Sequence, residues 1–207
     1  MKTLQALKFS LRVIFHPFDG FWDLKNEKRG NLKSSLILLV MTTIIFVANI
    51  QMTGFLFNYN NVNEINLFAN ISMVLCLFIL WCTSNWCLTS LMDGKGNFRD
   101  IVIATSYSLT PYILLSIIML AVSHFFTLDE GAFYYTLQTV AQLWTGFLLF
   151  FGTLVTHQYS LGKTFITVIL IIVGMIIMVF IGLLFFNVIQ QVISFFSILY
   201  REITLRT

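Results

Sequence analysis

The chain has 207 residues, 58% of them hydrophobic and only 10% charged, with a formal net charge of +3. Mean hydropathy is +0.87. A soluble domain carries about 25% charged residues, so this composition excludes a water-facing globule and places the chain in a bilayer.

Lys2, Lys8, Arg12, Lys25, Lys28, Arg29 and Lys33 all precede the first long apolar run. Asp19, Asp23 and Glu27 are mixed among them. The segment reads as a cytoplasmic flank on anionic headgroups, not as a nucleic-acid surface. Leu4, Leu7, Leu11, Ile14 and Phe18 recur at three and four, which predicts a basic amphipathic helix. Pro17 limits helical geometry at His16. Pro17, Phe18 and Trp22 are the expected interfacial anchor. The first apolar run begins too far from Met1, and is too long, for a cleaved signal peptide, so the first helix is expected to stay as an uncleaved anchor.

Apolar runs of about 20 residues cross the hydrocarbon core. They predict spans at 34–57, 67–92, 101–126 and 133–156, with a fifth from 164 to about 186. The expected fold class is an all-α membrane protein. It is a five-transmembrane-helix bundle with an amino-terminal amphipathic helix and a carboxyl-terminal helical extension. Residues 1–33 form the interfacial segment, 34–186 the membrane domain and 187–207 the amphipathic end. The linkers alternate between base-free (58–64 and 127–131) and base-containing (93–100 and 157–163). By the positive-inside rule the amino terminus is cytoplasmic and the carboxyl terminus outside, in a multi-pass protein of the cell membrane. The last apolar stretch runs to Tyr200, too long for one span and short for two. Asn187, Gln190, Gln191, Ser194, Ser197 and Arg201 mark one polar face there. That end is expected to lie at the outer interface or to pack on a partner.

No Asp, Glu, Lys or Arg falls mid-span in this parsing, and no Walker loop, GxSxG or HExxH motif occurs. The reading is therefore non-enzymatic, with no cofactor and no metal. Cys76, Cys82 and Cys87 read as apolar helix residues, and His16, His124 and His157 as interfacial ones. Uncharged polar residues recur at helical spacing instead. The second span carries Ser72, Cys76, Thr83 and Ser90 on one face. The third carries Thr105, Ser108, Tyr112, Ser116 and Ser123, and the fourth Gln138, Gln142, Thr145, Gly152 and Thr156. Such stripes either pack helices or line a polar cavity. Ser108, Tyr112, Ser116, Gln138, Gln142 and Thr145 are the candidates. Pro111 predicts a kink that frees a carbonyl near Tyr107, with Thr110 or Ser108 available to bond it. Gly174 and Gly182 share a side of the fifth span and predict close helix contact. A tight turn accounts for Gly94 and Gly96.

Four segments carry a resemblance: His16-Pro-Phe-Asp-Gly-Phe-Trp-Asp-Leu-Lys-Asn-Glu-Lys-Arg-Gly30, Asp93-Gly-Lys-Gly-Asn-Phe98, Tyr107-Ser-Leu-Thr-Pro-Tyr112 and His157-Gln-Tyr-Ser160. With five spans, they resemble the bacterial branch of the Yip (Ypt/Rab-interacting protein) domain family. The resemblance implies a five-span bundle with a cytoplasmic amino terminus. Eukaryotic members bind Rab-type GTPases and have longer cytoplasmic amino-terminal regions than this chain, so the resemblance does not carry that property over. Some bacterial relatives are associated with ABC transporter systems, which implies an assembly partner of that kind. The expected function is a membrane scaffold or accessory protein that binds another membrane complex or a second copy, or organises the bilayer. The alternative is a transporter or channel for a small solute or lipid along the polar faces of spans two to four.

Overall fold

A computed structural model describes residues 3–58 and 65–205. Lys2, Arg206 and most of the base-free linker 58–64 lie outside the described residues. Among the described residues eight α-helices follow in chain order: α1 (Thr3–Phe15), α2 (Pro17–Asn26), α3 (Leu32–Met52), α4 (Leu67–Leu91), α5 (Phe98–Ser108), α6 (Thr110–Val122), α7 (Gly131–His157) and α8 (Leu161–Leu205). No strand occurs among the described residues. Helices α3, α4, the α5–α6 pair, α7 and α8 give five segments long and apolar enough to cross a membrane. This is an all-α, multi-pass architecture.

Local chemistry sets the breaks. Pro17 stands in the first turn of α2, where its missing N–H costs nothing. Asn31 and Ser34 form a reciprocal capping box that starts α3. The first span ends at Met52, five residues before the expected Phe57. There Thr53 turns extended, and Gly54 donates its N–H to Ser123 Oγ at 2.9 Å. A Cβ on Gly54 would collide with the Ser123 carbonyl. The far ends of α3 and α6 are pinned together by this contact.

The third span divides at Leu109, two residues before Pro111. Thr110 Oγ1 donates to the Tyr107 carbonyl at 2.7 Å, and Ser108 Oγ to the Ala104 carbonyl at 2.9 Å. These hydroxyls supply bonds at the point where proline removes one from the ladder.

Helices α1 and α2 pack on each other and against the bundle. They cross where Gly20 meets Val13, whose Cα would lie 2.9 Å from an added Cβ. The buried face of α1 is Ala6, Phe9, Ser10, Val13 and Ile14. The expected apolar stripe is thus split: Ile14 is buried, while Leu11 and Phe18 are exposed. Small residues decide the docked face, because they let helix backbones approach closely.

The last helix runs unbroken through Asn187 to Leu205. At 1.5 Å per residue its 45 residues span roughly 67 Å. Its first half packs on α4. Ser84 Oγ donates to the Ile171 carbonyl at 2.8 Å, and Thr83 Oγ1 reaches Met178 Sδ at 3.7 Å. Residues 179–204 are all exposed.

Candidate functional site

Two places in the bundle gather polar groups. The first lies at the end that carries the basic loops. Phe21 of α2 is only 1% exposed and fits over Gly152 of α7, where an added Cβ would sit 3.3 Å from the ring. Phe18 meets Phe151 edge-on at 4.6 Å, while Trp22 is half-exposed. Lys25 Nζ donates to the Thr156 carbonyl at 2.6 Å, bonding one of the carbonyls that α7 leaves free at its carboxyl end. Partial burial lowers the Lys25 pKa from the ordinary lysine value; Asp100 opposes this and Lys95 reinforces it.

The loop after α4 closes on the same end. Gly94 and Gly96 have no positive φ; Asp93, at φ 57°, makes the left-handed turn instead. The glycines are required by proximity. A Cβ on Gly94 would stand 2.6 Å from His157 Nδ1, and one on Gly96 2.7 Å from Thr156 Cγ2. This corrects the expectation that a tight turn accounts for them. His157 is also not interfacial: it is 1% exposed and stacks on Tyr159 at 5.5 Å, while His16 and His124 are exposed. Gln158, at φ 56°, caps α7 in the left-handed conformation. Tyr159 Oη and Lys163 Nζ both donate to the Met92 carbonyl, at 3.1 and 2.7 Å. Lys163 Nζ also lies 4.3 Å from the centre of the Tyr159 ring. Deeper in, Tyr107 Oη donates to the Ala6 carbonyl at 3.0 Å and lies 3.2 Å from Ser34 Oγ, tying α5 to α1 and α3.

The second place lies towards the opposite end, between α3, α6 and α7. A cavity of about 360 Å³ is lined by Asn49 of α3 and Thr53 just after it, Tyr112 and Ser116 of α6, and Tyr134 and Gln138 of α7. Phe57 stacks on Tyr134 at 4.7 Å and forms one wall. A larger, mostly apolar groove of about 470 Å³ opens beside it, lined among others by Leu77, Trp81, Gln142 and Thr145. Phe46 and Tyr112 line both. Among the described residues no group of three His, Cys, Asp or Glu side chains could hold a metal.

Segments 16–30, 93–98 and 157–160 close the basic end, and 107–112 forms the break inside the third span. A family model for the Yip1 domain matches residues 11–196 and covers all four. The chain belongs to the Yip1 domain family. Comparison with curated proteins and with solved structures gives no match.

In this Yip1 domain the six candidate polar residues separate. Tyr112, Ser116 and Gln138 share the polar cavity. Gln142 and Thr145 line the apolar groove, again with Tyr112. Ser108 lies elsewhere, beside Asn85, Thr105, Thr153 and Thr156 around a void of about 10 Å³. The expected α4 stripe does not turn inward: Ser72, Cys76 and Ser90 are exposed, and the buried polar face is Ser84, Asn85 and Thr89. The cavity therefore draws on the first span, not the second. Asn49 carried a readable signal, since Thr42 and Asn49 stand seven apart, two turns along one face of α3.

The fit of Gly94 against His157 makes a direct test. Gly94→Val is expected to destabilise the Yip1 domain by about 1–3 kcal/mol through overpacking. In thermal unfolding of detergent-solubilised protein, His157→Ala should restore part of that loss in the double variant. Additive losses would mean that the two residues do not press on each other.

Proposed function

We propose that this protein is a non-enzymatic membrane scaffold that binds another membrane protein, or a second copy of itself, through the free half of α8. It sits in the cell membrane with its amino terminus in the cytoplasm and its carboxyl terminus outside. The alternating basic and base-free loops support that sidedness. The family resemblance makes a transporter of the ABC class the first partner to look for.

The observation that carries the reading is the exposed stretch 179–203. All of its residues are exposed, and most are large and apolar. Its uncharged amides, Asn187, Gln190 and Gln191, line one shallow groove with Ser194, Phe195 and Ile198. Amide side chains on an apolar helix gain by hydrogen-bonding across to another helix. The expected behaviour is close pairing with an apolar helix of the partner.

A photo-crosslinker at Ile193 in the full chain, activated in native membranes, should give one adduct of reproducible mass. The combined Asn187→Leu, Gln190→Leu and Gln191→Leu variant should lose that adduct while inserting and unfolding like the parent. Recovery of only the uncrosslinked monomer from the parent chain would defeat the proposal.

A further inference from the structure

The cavity between α3, α6 and α7 goes beyond a scaffold role. We propose that it binds the uncharged, hydroxyl-rich headgroup of a neutral glycolipid, with an acyl chain lying in the adjoining apolar groove.

Three observations lead there. First, the lining is polar but uncharged. Asn49, Thr53, Tyr112, Ser116 and Gln138 offer donors and acceptors, and among the described residues no Asp, Glu, Lys, Arg or His lines the space. A phosphate or ammonium headgroup would enter without a counter-charge, which is strongly disfavoured in a low-dielectric site. A headgroup rich in hydroxyls is both donor and acceptor, as the Asn, Gln, Ser and Tyr side chains are. Asn49 Oδ1 is buried without a hydrogen-bond partner among the described residues, so an acceptor there is left for a ligand donor.

Second, one wall is aromatic. Phe57 and Tyr134 stack with rings 24° apart, and Tyr135 meets Phe57 edge-on at 6.3 Å. The electron-rich face of such a ring suits the C–H-bearing face of a sugar. The volume, about 360 Å³, is within the range of small-ligand sites.

Third, the neighbouring groove is of the opposite character. Leu39, Leu77, Phe78, Trp81 and Leu149 dominate its lining. Phe46 and Tyr112 border both spaces, so a single amphiphile can occupy the two at once. A free sugar would leave the groove unused. This selects the lipid-linked form.

The test uses the full chain in phosphatidylcholine nanodiscs doped with monoglucosyl diacylglycerol. Protein is then released into a detergent without a sugar headgroup for native mass spectrometry. Retention of one glucosyl lipid per chain is expected, at least about tenfold above its share of the bilayer. Phosphatidylglycerol doped at the same level should show no enrichment. Asn49→Leu with Gln138→Leu, which removes two hydrogen-bonding groups, should cut the enrichment about tenfold. Gln51→Leu, outside the lining, should leave it unchanged and serves as the folding control. Equal enrichment of the charged lipid, or undiminished retention by the double variant, overturns the proposal. Displacement of the lipid by free glucose at matched concentration overturns the lipid-linked assignment.

Discussion

Phe21→Ala is expected to cost the bundle about 3–5 kcal/mol, the loss typical of deleting a buried phenylalanine ring. The ring is 1% exposed and belongs to one continuous core with Val13, Leu24, Leu148 and Leu154. That core joins α1 and α2 to α7, so the void would open where the amino-terminal helices meet the spans. Gly152, which has no side chain to fill the space, makes collapse difficult. Trp22, the neighbouring residue on the exposed side, provides the contrast. Trp22→Ala should change thermal unfolding in detergent by no more than about 0.5 kcal/mol, as for an ordinary surface substitution. Should both variants lose stability equally, α2 is held by its exposed aromatic rings and not by the core. The comparison separates a docked structural element from a membrane anchor, the role expected for Pro17, Phe18 and Trp22. A docked α2 also explains why the 16–30 segment has a recognisable sequence. Phe21, Lys25 and Gly30 each fit a particular neighbour, whereas an interfacial anchor needs only aromatic rings and charges.

The spans were legible because the bilayer imposes a length and a solvent that composition reports directly. The break near Pro111 was legible for a similar reason: proline removes a donor wherever it stands, and Thr110 was at hand to compensate. The inward face of each span was much less so. A helix in lipid is apolar on every side, and hydrophobic periodicity no longer tells core from surface. Hydroxyl residues then look like markers, and on α4 they misled. Thr83 bonds the Ile79 carbonyl and Ser90 the Trp86 carbonyl of their own helix. A hydroxyl satisfied in this way can face lipid, as Ser90 does, while Ser84 and Asn85 turn inward. The same limit applied to His157. Nothing local says that the loop from Asp93 to Asn97 folds over it, because the contact joins residues more than sixty positions apart.

The pair Gly174 and Gly182 shows what sequence spacing leaves open and leads to the second large effect. Both lie on one side of α8, yet only Gly174 makes a close contact. A Cβ there would stand 2.5 Å from Ser84 Oγ and 3.4 Å from Leu88 Cδ1, whereas nothing lies within 4 Å of Gly182. Gly174→Leu must therefore push α8 away from α4 and break the bond from Ser84 to the Ile171 carbonyl. Overpacking of this kind costs about 1–3 kcal/mol, and interhelical bonds in membranes average about 0.6 kcal/mol. Together they shift the pairing of the two helices by about tenfold or more. Thr83→Cys with Met178→Cys reports on that pairing, since the two native side chains touch at 3.7 Å. Oxidative crosslinking in membranes should fall by that factor in Gly174→Leu and stay unchanged in Gly182→Leu. The scaffold reading ties a further consequence to this result. The joint at Gly174 aims the free half of α8, so Gly174→Leu should also lower the photo-adduct formed at Ile193. Unchanged adduct formation beside a lost disulfide between α4 and α8 would mean that the free half finds its partner without help from the bundle.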